Sequence, residues 1–458
     1  MIKRIFLGIL LIVSILLISC AKEENNVNTS YENSEVVNTE VSRESIELAD
    51  GERGLNVYYV TDDYTSVKLV SWYKEENPDV KLNLTPFRNV EEMDTRIATV
   101  VSAGKGPDVI IFPNSTSLDA IKLAENNVFL DLLPFFENDS EYNSDNYYSV
   151  FDSGMVDGKQ YIIPLRLWCQ YAVGSEEKKL ERGFELSDSY SIYELMDAIS
   201  RGIEQCSEDD VMLLGSLSAG RYLTDMLRLT DVSIVDIENE KISIDKEILK
   251  KYSDYTQNYY SKADDIRRIW DLNNSSFTDA YSHWTLLSSM GCMPIILRTY
   301  DTYIEGMNHD MQVYTFPNYD DANSITADIS LYAAVMQNTD NPQQAYLFVK
   351  SLMDAGMGTF TKDIPVSKGG AKQFLDDLSN FAGKEFSLGQ DSVQVKTLTP
   401  ELRLECETIL NSITGGSIRN YSLETIITEN MEPYILGEAD FDSCYTKFKN
   451  QVEIYLYE

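Results

Sequence analysis

A short segment of alternating polar and apolar residues offers the clearest chemistry in this sequence. Arg166, Trp168 and Gln170 occupy every second position of an otherwise apolar run. In a β-strand, every second side chain points to the same face. A guanidinium fork, an indole ring and a carboxamide would therefore share one face, where they can bind hydroxyl groups and stack on an apolar ring. This pattern favours non-covalent recognition, and core packing is the alternative for Trp168.

Catalytic groups are scarce by comparison. The two histidines of the chain are His283 and His309, and we interpret both as structural. The sequence has no Gly-x-Ser-x-Gly motif of a serine hydrolase. Gly104 and Gly106 follow a predicted helix and precede a strand, the reverse of a dinucleotide-binding loop, so no cofactor is expected. A pair of carboxylates that hydrolyses a glycoside stays an open alternative, because acidic residues are plentiful.

Charge and cysteine content narrow the possible partners. The 458 residues carry a formal net charge of −36 at pH 7, which argues against nucleic acid or an anionic membrane surface as partner. Of the six cysteines, five follow Cys20. They are odd in number and contain no Cys-x-x-Cys pair, so the sequence predicts neither a disulfide framework nor a metal site.

The N-terminus has the features of an export signal. Lys3 and Arg4 precede an apolar run at residues 5–18, which is shorter than the about 20 residues needed to span a bilayer. The run ends at Ser19 and Cys20, which resembles the lipobox of bacterial lipoproteins, and in that class the cysteine is acylated and becomes the mature N-terminus. The sequence therefore predicts a signal peptide at 1–19 and an extracytoplasmic protein anchored to the cell membrane by a lipid on Cys20.

The segment that follows the anchor differs in composition from the rest of the chain. Residues 20–53 are rich in Glu, Asn and Ser and contain few large apolar side chains. Such a segment cannot bury enough apolar surface to offset its ordering entropy, so we expect a flexible, hydrated linker. From residue 54 onward the composition is globular, and the length suits two domains.

The globular part alternates predicted strands and helices. Apolar or β-rich runs at 55–60, 80–84 and 109–112 predict three strands, and helical patterns after Asp63 and at 90–103 predict the connections between them. The unbroken run at 109–112 is typical of a parallel strand covered on both faces. Repeated β-α-β units predict an α/β fold with a doubly wound sheet, whose ligand site lies beyond the carboxyl ends of the strands.

Five segments, taken in order, resemble the extracellular solute-binding proteins of bacterial ABC importers, in particular the sugar-type class that includes maltose-binding protein. They are residues 72–80 (family pattern F-x-x-x-N-P-x-V), 97–110 (A-x-G-x-G-P-D-V), 158–164 (G-K-x-Y-G-I-P), 330–349 and 364–368 (L-P-V-x-K). The chain departs from the family pattern at 174–179 and 288–293, and Ile162 replaces a glycine. These departures leave the expected fold unchanged. Because of them, the resemblance does not transfer the specific ligand of a relative to this chain.

The resemblance implies a two-lobed periplasmic-binding-protein-like fold, each lobe a doubly wound sheet with helices on both faces, and a ligand cleft between the lobes. The lobe assignment that it implies is 54–165 with 315–355 for the N-terminal lobe, and 166–314 with 356–458 for the C-terminal lobe. The first crossing between lobes would then lie near 164–167, directly before Trp168.

Relatives place ligand-contacting side chains just past this first crossing, which adds to the case for Trp168, Arg166 and Gln170. The other predicted ligand-binding residues are Asn114 and Ser115, which follow the strand at 109–112, Asp63, at the end of the first strand, Arg298 and Tyr300, which follow the apolar run at 294–297, and Asp328, just before Ser330. For Asp63, capping of the following helix is an equal alternative.

The sequence thus predicts a lipid-anchored, monomeric binding protein that captures a sugar or oligosaccharide. By resemblance, its partner would be the permease of an ABC importer, to which it delivers the solute unaltered. One alternative is a solute other than carbohydrate (a peptide, a polyamine or a sugar acid), with Arg166 and Arg298 holding a carboxylate. Another is a surface hydrolase or adhesin on the same fold.

Overall fold

The computed structural model describes residues 54–175, 180–187, 189–205, 211–214, 218–237, 239–267, 284–291, 311–356, 363–379, 385–388, 391–394 and 400–457. The predicted signal peptide, Cys20 and the linker at 20–53 lie outside these ranges. Within the ranges, no helix combines the length and the apolar character that a membrane span requires.

The strands, in chain order, are β1 (Leu55–Val60), β2 (Leu82–Phe87), β3 (Val109–Pro113), β4 (Met155–Val156), β5 (Lys159–Gln160), β6 (Ile162–Ser175), β7 (Val211–Leu214), β8 (Val235–Asp236), β9 (Lys241–Ile242), β10 (Trp284–Gly291), β11 (Met311–Thr315), β12 (Ile325–Val335), β13 (Ile364–Pro365), β14 (Glu385–Leu388), β15 (Asp391–Gln394) and β16 (Ile413–Ser417). The α-helices are α1 (Tyr64–Glu76), α2 (Val90–Ser102), α3 (Ala120–Glu125), α4 (Leu133–Asn138), α5 (Ile192–Gln205), α6 (Ala219–Leu229), α7 (Lys246–Arg267), α8 (Pro342–Asp354), α9 (Lys368–Ser379), α10 (Pro400–Asn411), α11 (Tyr421–Ile435) and α12 (Phe441–Tyr457).

The first strands and helices form the predicted β-α-β units. β1 pairs in parallel with β2 on one side and with β3 on the other, and all five side chains of β3 are buried, as expected for a central strand. The strand expected at 80–84 is found at 82–87, so it both begins and ends later than predicted. The polar Thr85 and the following proline, Pro86, interrupt the alternating pattern of β2. Because β2 is an edge strand, proline is tolerated there.

Two long strands, β12 and β6, extend the sheet into the rest of the molecule. β12 pairs with β3 through 331–335 and with β16 through 325–328. β6 pairs with β12 through its first half and with β10 and β11 through its second half. The resulting order is β2-β1-β3-β12-β6-β10-β7. The segment 166–170 therefore lies in the middle of β6, where its neighbouring strands change.

Helices α6, α7 and α11 pack against one another in the second half of the molecule. Their contact includes buried tyrosine rings, among them Tyr222 stacked on Tyr259 with 5.1 Å between ring centroids. Among the described residues, Cys169, Cys406 and Cys444 are buried free thiols. The mixed α/β architecture matches the predicted fold class.

Candidate functional site

Trp168 lies on β6 with its side chain partly exposed. Its indole Nε1 donates a hydrogen bond of 2.5 Å to Oδ1 of Asp363, a carboxylate that the sequence did not single out. The hydroxyl of Thr65, in the first turn of α1, donates to Oδ2 of the same carboxylate. Because its N–H is already bonded, Trp168 can offer a ligand only the apolar surface of its ring.

Arg166 has a different role from the predicted one. Its side chain is 2% exposed, and its guanidinium donates to the carbonyl oxygens of Leu165, Leu352 and Ala355. The last two carbonyls belong to the C-terminal end of α8, where helical partners run out. Burial lowers the pKa of Arg166 to about 10, and the nearby Asp363 carboxylate opposes this shift. As a correction to the prediction, Arg166 closes the end of α8 instead of presenting a fork to a ligand.

Gln170 lies two positions after Trp168 on the same strand face. Its side chain is 7% exposed, and none of the described residues donates a hydrogen bond to its Oε1. A buried acceptor without a donor is costly, so a donor from solvent or from a ligand would stabilise it. Gln170 therefore stays a predicted ligand contact, with an unused acceptor to make that contact.

Three predicted residues meet where β3, β12 and β6 adjoin. Trp168 and Asp328 are directly opposite each other in the antiparallel β6–β12 pair, so their side chains share a face. Asp328 is 1% exposed, and its Oδ2 accepts a hydrogen bond of 3.3 Å from Nδ2 of Asn114. The structure thus places Asn114, Asp328 and Trp168 side by side.

Asp328 is also paired with a cation that the sequence did not reveal. Arg228, on α6, contacts the carboxylates of Asp225, Asp328 and Glu424. Burial raises the pKa of Asp328 and of Glu424, and the attraction of Arg228 opposes both shifts. Burial alone would lower the pKa of Arg228, but the three carboxylates raise it above its usual value.

Two further arginines extend this network on the side of α11. Arg221 and Arg419 both contact Glu424. The carboxylate of Glu424 is therefore paired with two arginines in addition to Arg228. A cavity of about 260 Å³ adjoins the network, and Arg228 and Glu424 are among its lining residues. This volume is slightly below the ~300 Å³ at which ligand pockets usually begin.

A buried carboxylate, that of Asp94, holds the loop after β3 through hydrogen bonds. Asp94, on α2, accepts hydrogen bonds from the hydroxyl of Thr116 at 2.7 Å and from the backbone N–H of Ser117 at 2.8 Å. Ser115, one residue earlier, is exposed. This anchoring holds Asn114 and Ser115 at the carboxyl end of β3, where the doubly wound sheet was predicted to bind its ligand.

Asp63 caps α1, which is one of the two roles predicted for it. Its Oδ2 accepts from the backbone N–H of Ser66 at 2.8 Å and also from the Ser66 hydroxyl. Burial raises the pKa of Asp63, and the two hydrogen bonds from Ser66 oppose the shift. Contact with a ligand stays a prediction for this residue.

The remaining predicted residues, Arg298, Tyr300 and Cys20, lie outside the described ranges, as do His283 and His309. In the part of the chain that the structure describes, no group of three or more His, Cys, Asp or Glu side chains is arranged to hold a metal ion.

The sequence missed Asp363 and Arg228 because their partners are remote in the chain. Asp363 is separated from Trp168 by 195 positions, and Arg228 from Asp328 by 100. Neither residue belongs to a motif of local spacing. The assembled site offers an aromatic surface, carboxamides and carboxylates, which together suit a neutral ligand rich in hydroxyl groups.

The model of the family described as bacterial extracellular solute-binding protein matches residues 68–357. No curated protein matches the sequence. Among solved structures, the sugar-binding protein MalE from the phytopathogen Xanthomonas citri is similar with a TM-score of 0.64 at 13% identity, over 88% of this chain and 98% of that chain.

Two further solved structures show the same likeness. A putative oligosaccharide periplasmic-binding protein from Synechococcus sp. MITs9220 is similar with a TM-score of 0.60 at 17% identity, over 88% of this chain and 99% of that chain. An ABC substrate-binding protein from Listeria monocytogenes, solved in complex with cycloalternan, has a TM-score of 0.57 at 12% identity, over 88% and 99% of the two chains. At these identities the likeness concerns the fold.

Proposed function

Because the chain belongs to the family of bacterial extracellular solute-binding proteins, we propose that it captures a sugar or oligosaccharide and delivers it to the permease of an ABC importer. The observation that carries this proposal is the position of Trp168, which lies on β6 opposite Asp328, whose carboxylate accepts a hydrogen bond from Asn114. An aromatic ring next to hydrogen-bonding side chains is the arrangement that a sugar ring requires.

The energy that Trp168 can supply is consistent with a role as one of several contacts. Full burial of an aromatic ring removes about 150–250 Å² from water, worth about 4–6 kcal/mol. A sugar ring stacked on one face of the indole would gain about half of this free energy, or 2–3 kcal/mol. Micromolar affinity needs about 8 kcal/mol, so hydrogen bonds from residues such as Asn114 and Gln170 must contribute as well.

The mechanism that follows is a shift of population between open and closed forms. β6 and β12 run through the middle of the sheet and connect its two halves. A ligand that contacts side chains on both halves stabilises the closed form in proportion to its greater affinity for that form. The permease would then bind the closed form, and the solute would leave chemically unchanged.

The lipid anchor on Cys20 forms part of the proposal. Acyl chains on this residue would hold the protein at the outer face of the membrane, close to the permease. Replacing Cys20 by Ser should release the protein into the medium and abolish incorporation of labelled palmitate. A Cys20→Ser protein that stays membrane-bound in the same amount would contradict this part.

The ligand class is tested with a panel of glycans, by thermal shift followed by titration calorimetry. Replacing Trp168 by Ala should weaken binding of the selected glycan at least tenfold, or about 1.4 kcal/mol, with folding intact. Trp72→Ala is the matched control, because Trp72 is also partly buried but packs against the core from α1. Unchanged affinity in the Trp168 variant would refute the assignment.

A carboxylate-bearing solute is less well supported than it was from sequence, because the guanidinium of Arg166 already donates to three carbonyl groups. A hydrolase would convert a bound glycan into shorter products. Mass spectrometry of glycans incubated with the protein distinguishes that case, since a binding protein returns every glycan with its original mass.

A further inference from the structure

Asp363 connects three parts of the chain through one carboxylate. It is 8% exposed and directly precedes β13, which pairs with β6 through Ile364–Leu167 and Pro365–Arg166. Its Oδ1 accepts from Nε1 of Trp168 and its Oδ2 accepts from the hydroxyl of Thr65. Each oxygen thus has its own donor, one from β6 and one from the start of α1.

Each of these three parts is held by contacts of its own. The ladder between β13 and β6 fixes the backbone at Asp363. Thr65 is 4% exposed in the first turn of α1, next to Asp63, which caps that helix. The indole therefore donates to an acceptor whose backbone is held by a strand ladder and whose second partner, Thr65, is buried. A hydrogen bond to a charged acceptor is about twice as strong as one between neutral groups.

We propose that Asp363 is a positioning residue that fixes the ring plane of Trp168 before a ligand arrives. The proposal rests on the function proposed above, in which Trp168 is the stacking surface. Rotation of the ring would break the hydrogen bond from Nε1 to Asp363 and take the indole N–H away from its charged acceptor, which costs free energy. The ring is thus held in one orientation, and a ligand does not have to immobilise it on binding.

This positioning also limits what Trp168 can recognise. Its N–H is unavailable to a ligand hydroxyl, so the ring contributes apolar contact alone. The ligand must therefore present an apolar face of its own, as a pyranose does when its C–H groups lie on one side. Hydroxyl groups would be recognised by other side chains, such as Gln170.

The first test uses the ligand-free protein and does not depend on the identity of the solute. The chain has four tryptophans, so its indole N–H groups give four NMR signals, and the signal of Trp168 is the one missing from Trp168→Phe. Asp363→Asn and Asp363→Ala should move this signal. Asp139→Asn should not, although Asp139 also accepts from an aromatic side chain, the Tyr346 hydroxyl at 2.7 Å. An unmoved Trp168 signal in both Asp363 variants overturns the proposal.

The second test is a double-mutant cycle with the glycan identified by the panel. Asp363→Ala should weaken its binding about two- to tenfold, and the same change in a Trp168→Ala background should have no further effect. An equal loss in both backgrounds means that Asp363 acts on the structure generally, which overturns the proposal. If Asp363→Ala does not fold, the near-isosteric Asp363→Asn takes its place in the cycle.

The two tests separate the failure of each hypothesis. If no glycan binds, the proposed function fails, while the NMR signals still decide whether Asp363 positions the ring. If a glycan binds through Trp168 but the signal of that residue is insensitive to Asp363, the proposed function stands and the positioning role fails.

Discussion

Replacing Arg228 by Met should destabilise the protein far more than replacing Arg221 by Met. The two arginines lie on the same helix and share partners in one network, but their surroundings differ. The Arg228 side chain is 11% exposed and contacts Asp328, whose side chain is 1% exposed. Arg221 is 32% exposed, and both of its carboxylate partners also contact Arg228.

The expected magnitudes follow from which carboxylate loses its cation. Without Arg228, the side chain of the buried Asp328 keeps only the amide of Asn114 as a hydrogen-bond partner among the described residues. An uncompensated buried charge costs about 3–5 kcal/mol. Without Arg221, Glu424 still contacts Arg228 and Arg419. The second loss should therefore be at most about 1 kcal/mol, as for a partly exposed pair.

Urea unfolding at pH 7 measures both losses as shifts of the midpoint at a constant slope. The double variant Arg228→Met with Asp328→Asn should recover most of the loss, because it removes both charges of the pair. Equal losses for the two single arginine variants would refute the reasoning, and so would a double variant that is no more stable than Arg228→Met.

The pH dependence adds an independent test of the same pair. Burial raises the pKa of Asp328 above its unfolded value, and the attraction of Arg228 opposes that rise. A group with a raised pKa contributes stability that is present at low pH and lost as the pH rises through its folded value. Removing Arg228 raises this pKa further, so the deficit of Arg228→Met should be largest at neutral pH and shrink as the solution is acidified.

Three other predictions concern residues that are not among the predicted ligand contacts. Burial raises the pKa of the Cys169 and Cys406 thiols to about 12. In the folded protein, neither thiol should react with a thiol reagent at pH 7, whereas both should react in urea. Modification of either thiol in the folded state would contradict the structure. Hydrogen bonds from Lys350 and Tyr346 lower the pKa of Asp139 from 3.8 to about 2. The contribution of this carboxylate to stability should therefore be present above pH 3.8 and disappear as the pH falls through 2, so the unfolding midpoints of wild type and Asp139→Asn should converge over that interval. A constant difference between the two midpoints would contradict the hydrogen bonds to Asp139. A Cβ at Gly154 would lie 1.8 Å from the carbonyl oxygen of Ile162, whereas a Cβ at Gly369 would meet nothing within 4 Å. Gly154→Ala should therefore lower the free energy of unfolding in urea by about 2–3 kcal/mol, and Gly369→Ala should leave it unchanged. Equal unfolding midpoints for the two variants would contradict this prediction.

Local structure was predictable where local physics determines it. The strand at 55–60, the Asp63 cap and the helix that begins at Val90 were all predicted from capping residues and apolar periodicity, and the structure confirms them. The strand β2 was predicted at 80–84 but lies at 82–87. Its later end was not predictable, because an edge strand permits Thr85 and Pro86, and the edge position depends on the order of strands in the whole sheet.

The site was predictable only in part, for a related reason. Periodicity correctly put Trp168 and Gln170 on one strand. Asn114 and Asp328 were predicted separately, and their hydrogen bond emerged only from the fold. The same periodicity could not show that Arg166 would bind carbonyl groups at the end of α8, because Leu352 lies 186 positions away. For the same reason it gave no sign of Asp363 or Arg228. Long polar side chains take their partners from tertiary structure, and no local pattern encodes those partners.

The position of Trp168 in the middle of a fourteen-residue strand has a consequence for how homologous chains can diverge. Side chains along a strand change sides at every step, so losing or gaining one residue between Ile162 and Trp168 would send the indole to the opposite side of the sheet and bring its neighbour Cys169 to the front. Specificity can therefore drift through point substitutions at these positions. Changes of length should be confined to the loops, because a single insertion within this strand would exchange the face proposed to contact the ligand for the opposite face.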